Sequence, residues 1–95
     1  MLHTVNKSPH GHSALAECLR VCAADDVVVL IEDGVYAAIA GNSRLPGPDA
    51  PKLYALSADV AARGLAPHLA EGVALLDYAG FVQLCCEHPV IQSWY

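Results

Sequence analysis

The run Val27-Val28-Val29-Leu30-Ile31 carries no polar residue, and its first three positions are β-branched in succession. A strand with one wet face alternates apolar and polar side chains. An unbroken run therefore predicts a strand covered on both faces, as in parallel sheets. The run ends at Glu32-Asp33-Gly34, and a helical spacing follows at Val35, Ala38 and Ile39. Asp33 is placed to cap that helix, and Gly41 to close it in the left-handed conformation. Buried strand, acidic turn and short helix make the first half of a βαβ unit.

The remaining pattern repeats this alternation. Leu2-His3-Thr4-Val5 predicts a short strand, followed by a turn at Asn6-Lys7-Ser8-Pro9 and a loop through His10-Gly11-His12. Ser13 can cap a helix reaching about Ala24, on which Leu15, Cys18, Leu19 and Cys22 share one face. Residues 42–51, with three prolines and a glycine, read as a loop. Lys52–Leu56 predicts a third strand, and Ser57 a capped short helix with Asp59 in its first turn and Arg63-Gly64 at its end. Gly72–Leu76 predicts a fourth strand, ending at Asp77, which can cap a helix carrying Tyr78, Phe81, Val82 and Cys85 on one stripe. His88-Pro89 stops that helix, and Val90–Tyr95 is a final extended segment. The expectation is a single domain, residues 1–95, of the α/β class: a three-layer α/β/α sandwich with a mainly parallel, about five-stranded sheet.

Composition adds an interface. A chain of 95 residues that is 55% hydrophobic has more apolar surface than one small core can absorb, and a subunit contact is the usual outlet. No apolar run approaches the roughly 20 residues that cross a bilayer, and MLHTVNKSP lacks the apolar stretch of an export signal. A cytoplasmic protein without membrane contact is expected. The net charge of −5 and five scattered basic residues argue against direct nucleic-acid binding. Four cysteines in such a chain are expected as thiols rather than disulfides.

Three constellations have the residue types for chemistry. His10, His12, Cys18 and Cys22 are zinc-type ligands, but their spacing matches no compact structural-zinc motif, and no metal site is assigned. Glu32, Asp33 and Asp77 fall at carboxyl ends of strands, with Lys7 as a possible cation in a receiver-like pocket, although capping accounts for the two aspartates. Nothing after the first strand resembles a glycine-rich phosphate loop, and no cofactor is assigned. The third is thiol chemistry at Cys18, which lies about five residues past Ser13 and within reach of Lys7, His10 or His12. Positive potential there would depress its pKa, while the apolar helix face favours a core residue. Cys22 lies one turn deeper, and Cys85 and Cys86 lie near a helix C-terminus beside Glu87, where a thiolate is disfavoured. Trp94 and Tyr95 end the chain as either interface anchors or core residues.

MLHTVNKSP, SALAECLR, IEDGVYAAIAG, KLYALSADVAARG and LDYAGFVQL, followed by EHP and QSWY, together resemble the TusB/DsrH family of sulfur-relay subunits. The resemblance runs nearly end to end and is weakest over residues 42–51. It implies a DsrE-like fold and a heterohexamer with TusC/DsrF-like and TusD/DsrE-like partners. In the Tus branch, it implies relay of persulfide sulfur toward 2-thiolation of the tRNA wobble uridine. In the Dsr branch, it implies a role in oxidative sulfur metabolism. The principal sulfur-carrying cysteine of such complexes belongs to the TusD/DsrE subunit, so this chain would be an accessory subunit without independent catalysis. DsrH-type members carry a cysteine in the first helix, and Cys18 matches it, which makes Cys18 the candidate persulfide carrier. Cys22, Cys85 and Cys86 match no family cysteine.

Overall fold

The computed structural model describes residues 1–40 and 51–95. Five strands, β1 (Leu2–Val5), β2 (Val27–Leu30), β3 (Lys52–Leu56), β4 (Val73–Leu76) and β5 (Ile91–Trp94), form one sheet in the order β4-β3-β2-β1-β5. Every neighbouring pair is parallel. The apolar run that predicted a doubly covered strand is β2, and it sits at the centre. The class, the strand count and the parallel sense agree with the sequence reading.

Connectivity sets the layers. From β1 through β4 each step moves to the adjacent strand in one direction, through α1 (Ala14–Val21), a 3-10 segment (Glu32–Ala38) and α2 (Ser57–Ala62). Parallel crossovers are right-handed, so these connections share one face. The last connection, α3 (Tyr78–Glu87), returns from one edge of the sheet to the other and so covers the opposite face.

Register shows the two faces directly. His3, Val28 and Leu53 are aligned, as are Val5, Leu30 and Ala55. The apolar members of these rows pack with Ala14, Leu15, Cys18, Val35, Ala37, Ala38 and Val60 in the main core. Leu2, Val29 and Leu56 alternate to the other side and are also buried, but outside that cluster. Their cover is thin, since no residue of α3 is itself buried. Tyr78 and Val82, one helical turn apart, are each 60% exposed, and Val90 and Ile91 at the start of β5 are also exposed.

Several local expectations are corrected. The segment after β2 is a 3-10 helix with Ile31 at its N-cap, and Asp33 lies inside it rather than capping it. The first helix ends at Val21, short of Ala24, and Ser13 occupies the N-cap without a side-chain cap bond. Ser57 is the first helical residue of α2, with Leu56 as cap. A short 3-10 turn, Ala66–His68, was not anticipated. Asp77 does cap α3, accepting the Gly80 N–H at 2.7 Å. The closing role expected of Gly41 and the loop expected at 42–50 lie outside the described residues.

Gly34 explains why the 3-10 segment can lie so close to the sheet. A Cβ there would meet the backbone carbonyl of Val5, which already accepts the Ile31 N–H at 3.0 Å. Backbone on both sides leaves no flexible atom to yield. Gly34→Ala is therefore expected to cost about 3 kcal/mol, read as a lowered urea midpoint.

Candidate functional site

The chemistry-bearing side chains converge where α1 crosses β1. On the inner face of α1, Leu15 and Cys18 are buried and Cys22, at the C-cap, is half-buried. Cys18 has 0% exposure, and its sulfur lies 3.7 Å from that of Cys22. Burial pushes the Cys18 thiol well above its ordinary range, and Cys22 and Asp26 push it in the same direction. Burial also raises Cys22. The alternative of a Cys18 pKa depressed by Lys7, His10 or His12 is thus reversed, because desolvation dominates and the charge that acts on the thiol is the Asp26 carboxylate. His10 and His12 are exposed and do not join the thiols.

The residue that does join them is His3. One of its ring nitrogens and the sulfurs of Cys18 and Cys22 lie within 4.8 Å of one another. His3 is held by a buried polar network. Its Nε2 is 2.9 Å from Asp26 Oδ2, and its Nδ1 is 3.0 Å from Trp94 Nε1. An indole N–H only donates, so Nδ1 accepts and the Nε2 proton goes to Asp26. Asp26 also accepts from the Ala23 N–H at 3.1 Å and from the Met1 ammonium at 3.0 Å. The His3 bond first, and then the other two, hold the Asp26 carboxyl down at about 2 against the opposing effect of burial. Trp94 packs on its own subunit's core, while Tyr95 is 82% exposed, so the two C-terminal aromatics have separate fates.

The acidic constellation is dispersed. Asp33 accepts from Arg63 Nη2 at 2.9 Å and Nε at 3.2 Å, which ties the 3-10 segment to the end of α2. Glu32 adopts φ 49° and donates its backbone N–H to Asp59 at 2.8 Å. Asp77 is occupied as a cap. The Asp33 and Asp77 carboxylates thus have structural partners, an ion pair and a helix cap.

His3, Asp26 and the role of Trp94 were missed by sequence reasoning. The signal was present in LHTV, because a histidine inside a short strand at the heart of a parallel sheet must find partners for both nitrogens.

A profile of the family described as "DsrH like protein" matches residues 7–91. The Protein TusB of Pectobacterium parmentieri is 43% identical, covering 99% of this chain and all of that one. The Protein TusB of Escherichia coli K12 is 41% identical with the same coverage. Among solved structures, the ychN protein of E. coli superposes with a TM-score of 0.79 at 18% identity, covering 97% of each chain, which is a likeness of fold. Protein Tm0979 of Thermotoga maritima superposes with a TM-score of 0.67 at 27% identity, covering 93% of this chain and 94% of that one.

The network around Asp26 generates a pH prediction. Its carboxyl ionises at about 2 when folded, against about 3.9 in an unfolded chain. A depressed carboxyl stabilises the fold fully above the unfolded value, and the contribution disappears as pH falls through the folded one. Asp26→Asn should cost about 2 kcal/mol at neutral pH and should flatten the loss of stability between pH ~4 and ~2. Urea unfolding across that range measures both.

Proposed function

The chain belongs to the DsrH-like family, and on that premise we propose that it is an accessory subunit of a sulfur-relay complex passing persulfide sulfur toward 2-thiolation of the tRNA wobble uridine. The observation that carries this reading is the match to Protein TusB sequences along the whole chain, at 43 and 41% identity. Its partners in this reading are TusC/DsrF-like and TusD/DsrE-like subunits, in a heterohexamer, in the cytoplasm. Four free cysteines fit a reducing compartment. The net charge of −5 fits a subunit that does not itself hold the tRNA. The exposed Tyr78 and Val82 of α3 supply a partner-facing apolar surface. An enclosed Cys18 thiol with a raised pKa supports the accessory part rather than carriage of sulfur.

A second reading is a DsrH-type subunit of oxidative sulfur metabolism, with Cys18 as a persulfide carrier. One observation favours it, the cysteine at the first-helix position where DsrH-type relatives carry theirs. A strain lacking its own subunit distinguishes the two. Expression of this chain should restore 2-thiouridine in digested tRNA, and Cys18→Ser should keep most of it. Loss to the level of the empty vector in a folded Cys18→Ser protein would assign the thiol to relay. Failure of the parent chain to restore any thiolation in an assembled complex would favour the oxidative branch.

Assembly has its own test. Val82 is 60% exposed, so Val82→Asp should fold normally. Placed in an interface core, that charge should weaken association by about 2 kcal/mol, roughly thirtyfold in Kd. Co-elution with the two partner subunits on sizing reads the effect.

A further inference from the structure

Three donor atoms meet under the C-terminal half of α1, and neither relay nor assembly uses them together. Cys18 Sγ, Cys22 Sγ and a ring nitrogen of His3 lie within 4.8 Å of one another. We propose that Cys18, Cys22 and His3 form a binding site for a thiophilic divalent cation of the zinc class.

The two sulfurs already stand at a chelating separation, and the imidazole has only a short distance to close. The two sulfurs are 3.7 Å apart. Two thiolates bound to one tetrahedral zinc at ~2.3 Å stand about 3.8 Å apart, so the pair can bridge a metal with almost no movement of α1. The spacing follows from the helix, since positions four apart share a face and Cys22 sits at the C-cap. The third donor comes from β1, fixed from below by the sheet. Asp26 stands behind the imidazole at 2.9 Å, in the carboxylate–histidine arrangement that orients metal-bound rings. Both ring nitrogens have hydrogen-bond partners, so the metal takes Nδ1 in exchange for the bond to Trp94 and leaves the Nε2 proton donated to Asp26. Cys22, half-buried at the helix end, is the side from which a metal enters.

The charge balance fits a buried position. The resting site holds two neutral thiols. On binding, each S–H bond breaks and its proton leaves to water, two thiolate–metal bonds form, and one dication replaces two protons. Nothing is oxidised or reduced, and the net charge of the site is unchanged. The burial that opposes a bare thiolate at Cys18 does not oppose this exchange, because the metal supplies the missing counter-charge. The coordination left open by three protein donors is filled by water.

The test uses the full chain, reduced and metal-free, carrying Cys85→Ser and Cys86→Ser to remove the thiols of α3. Titration with Co2+ alone should give one equivalent bound per chain, with thiolate-to-cobalt absorption in the near ultraviolet and the visible bands of tetrahedral cobalt. The chain has one tryptophan, and it lies 3.0 Å from the third donor, so Trp94 emission should fall in step with those bands. Zn2+ should displace the cobalt and bleach the colour. Adding Cys22→Ser, a half-buried position that folding tolerates, should abolish the thiolate band and the Trp94 response. Absence of thiolate bands in the folded parent protein, bands that persist in Cys22→Ser, or binding of less than one equivalent would each overturn the site.

Discussion

The fold is organised around the need to satisfy a histidine that β1 carries into its interior. His3 is 1% exposed and sits on the inner face of the sheet, where an unpaired ring nitrogen would cost a few kcal/mol. Its partners come from distant parts of the chain, Asp26 just before β2 and Trp94 at the end of β5. Satisfying the ring therefore brings the first strand, the approach to the second and the last strand into one arrangement. The same requirement fixes the edge of the sheet, because Trp94 reaches Nδ1 only if β5 pairs beside β1 in the observed register. Thr4 and Ser93, 3.1 Å apart on the same pair of strands, reinforce it.

The two faces of the sheet then divide unequally. Three connections crowd onto the face that holds His3, and one helix covers the other. Gly34 lets the 3-10 segment press on β1, which closes the first face tightly. The second face keeps Leu2, Val29 and Leu56 dry, yet its covering helix buries none of its own residues and leaves Tyr78 and Val82 in water. A domain of this size cannot bury both faces fully with one short helix to spare. Part of the apolar surplus evident in the composition thus lies on α3, at Tyr78 and Val82, where a partner subunit would complete the outer layer.

What was legible in the sequence follows from the range of the forces involved. The buried run at Val27 and the helical stripes are local patterns, and they gave the class, the five strands and the parallel sense. The cap at Asp77 is equally local, one side chain and an N–H three residues on. Asp33 and Ser57 failed as caps because tertiary partners or helix register outweighed propensity: Asp33 is taken by Arg63, and α2 begins one residue early, directly from β3. The site was harder to read, because His3, Asp26 and Trp94 are joined across the sheet by pairings that no local spacing encodes. Strand order decides which histidine meets the thiols of α1, and it selects His3 over His10 and His12.

Cys18 shows how far a matched position carries an argument about chemistry. A thiol near the first turn of a helix gains from the dipole, and loop cations nearby would add to that. Both effects act on a charge that must already exist, and burial under α1 is what decides whether it does. With no exposure, a neighbouring thiol and a carboxylate close by, Cys18 has every local influence set against a free thiolate. A persulfide on that sulfur would also need room for a second sulfur atom and a path for the donor, both of which the close packing of α1 on β1 opposes. The same enclosure suits a role in which the sulfur is neutralised where it stands, by its proton or by a metal. Relay through Cys18 would therefore require α1 to shift from the sheet that now encloses the thiol.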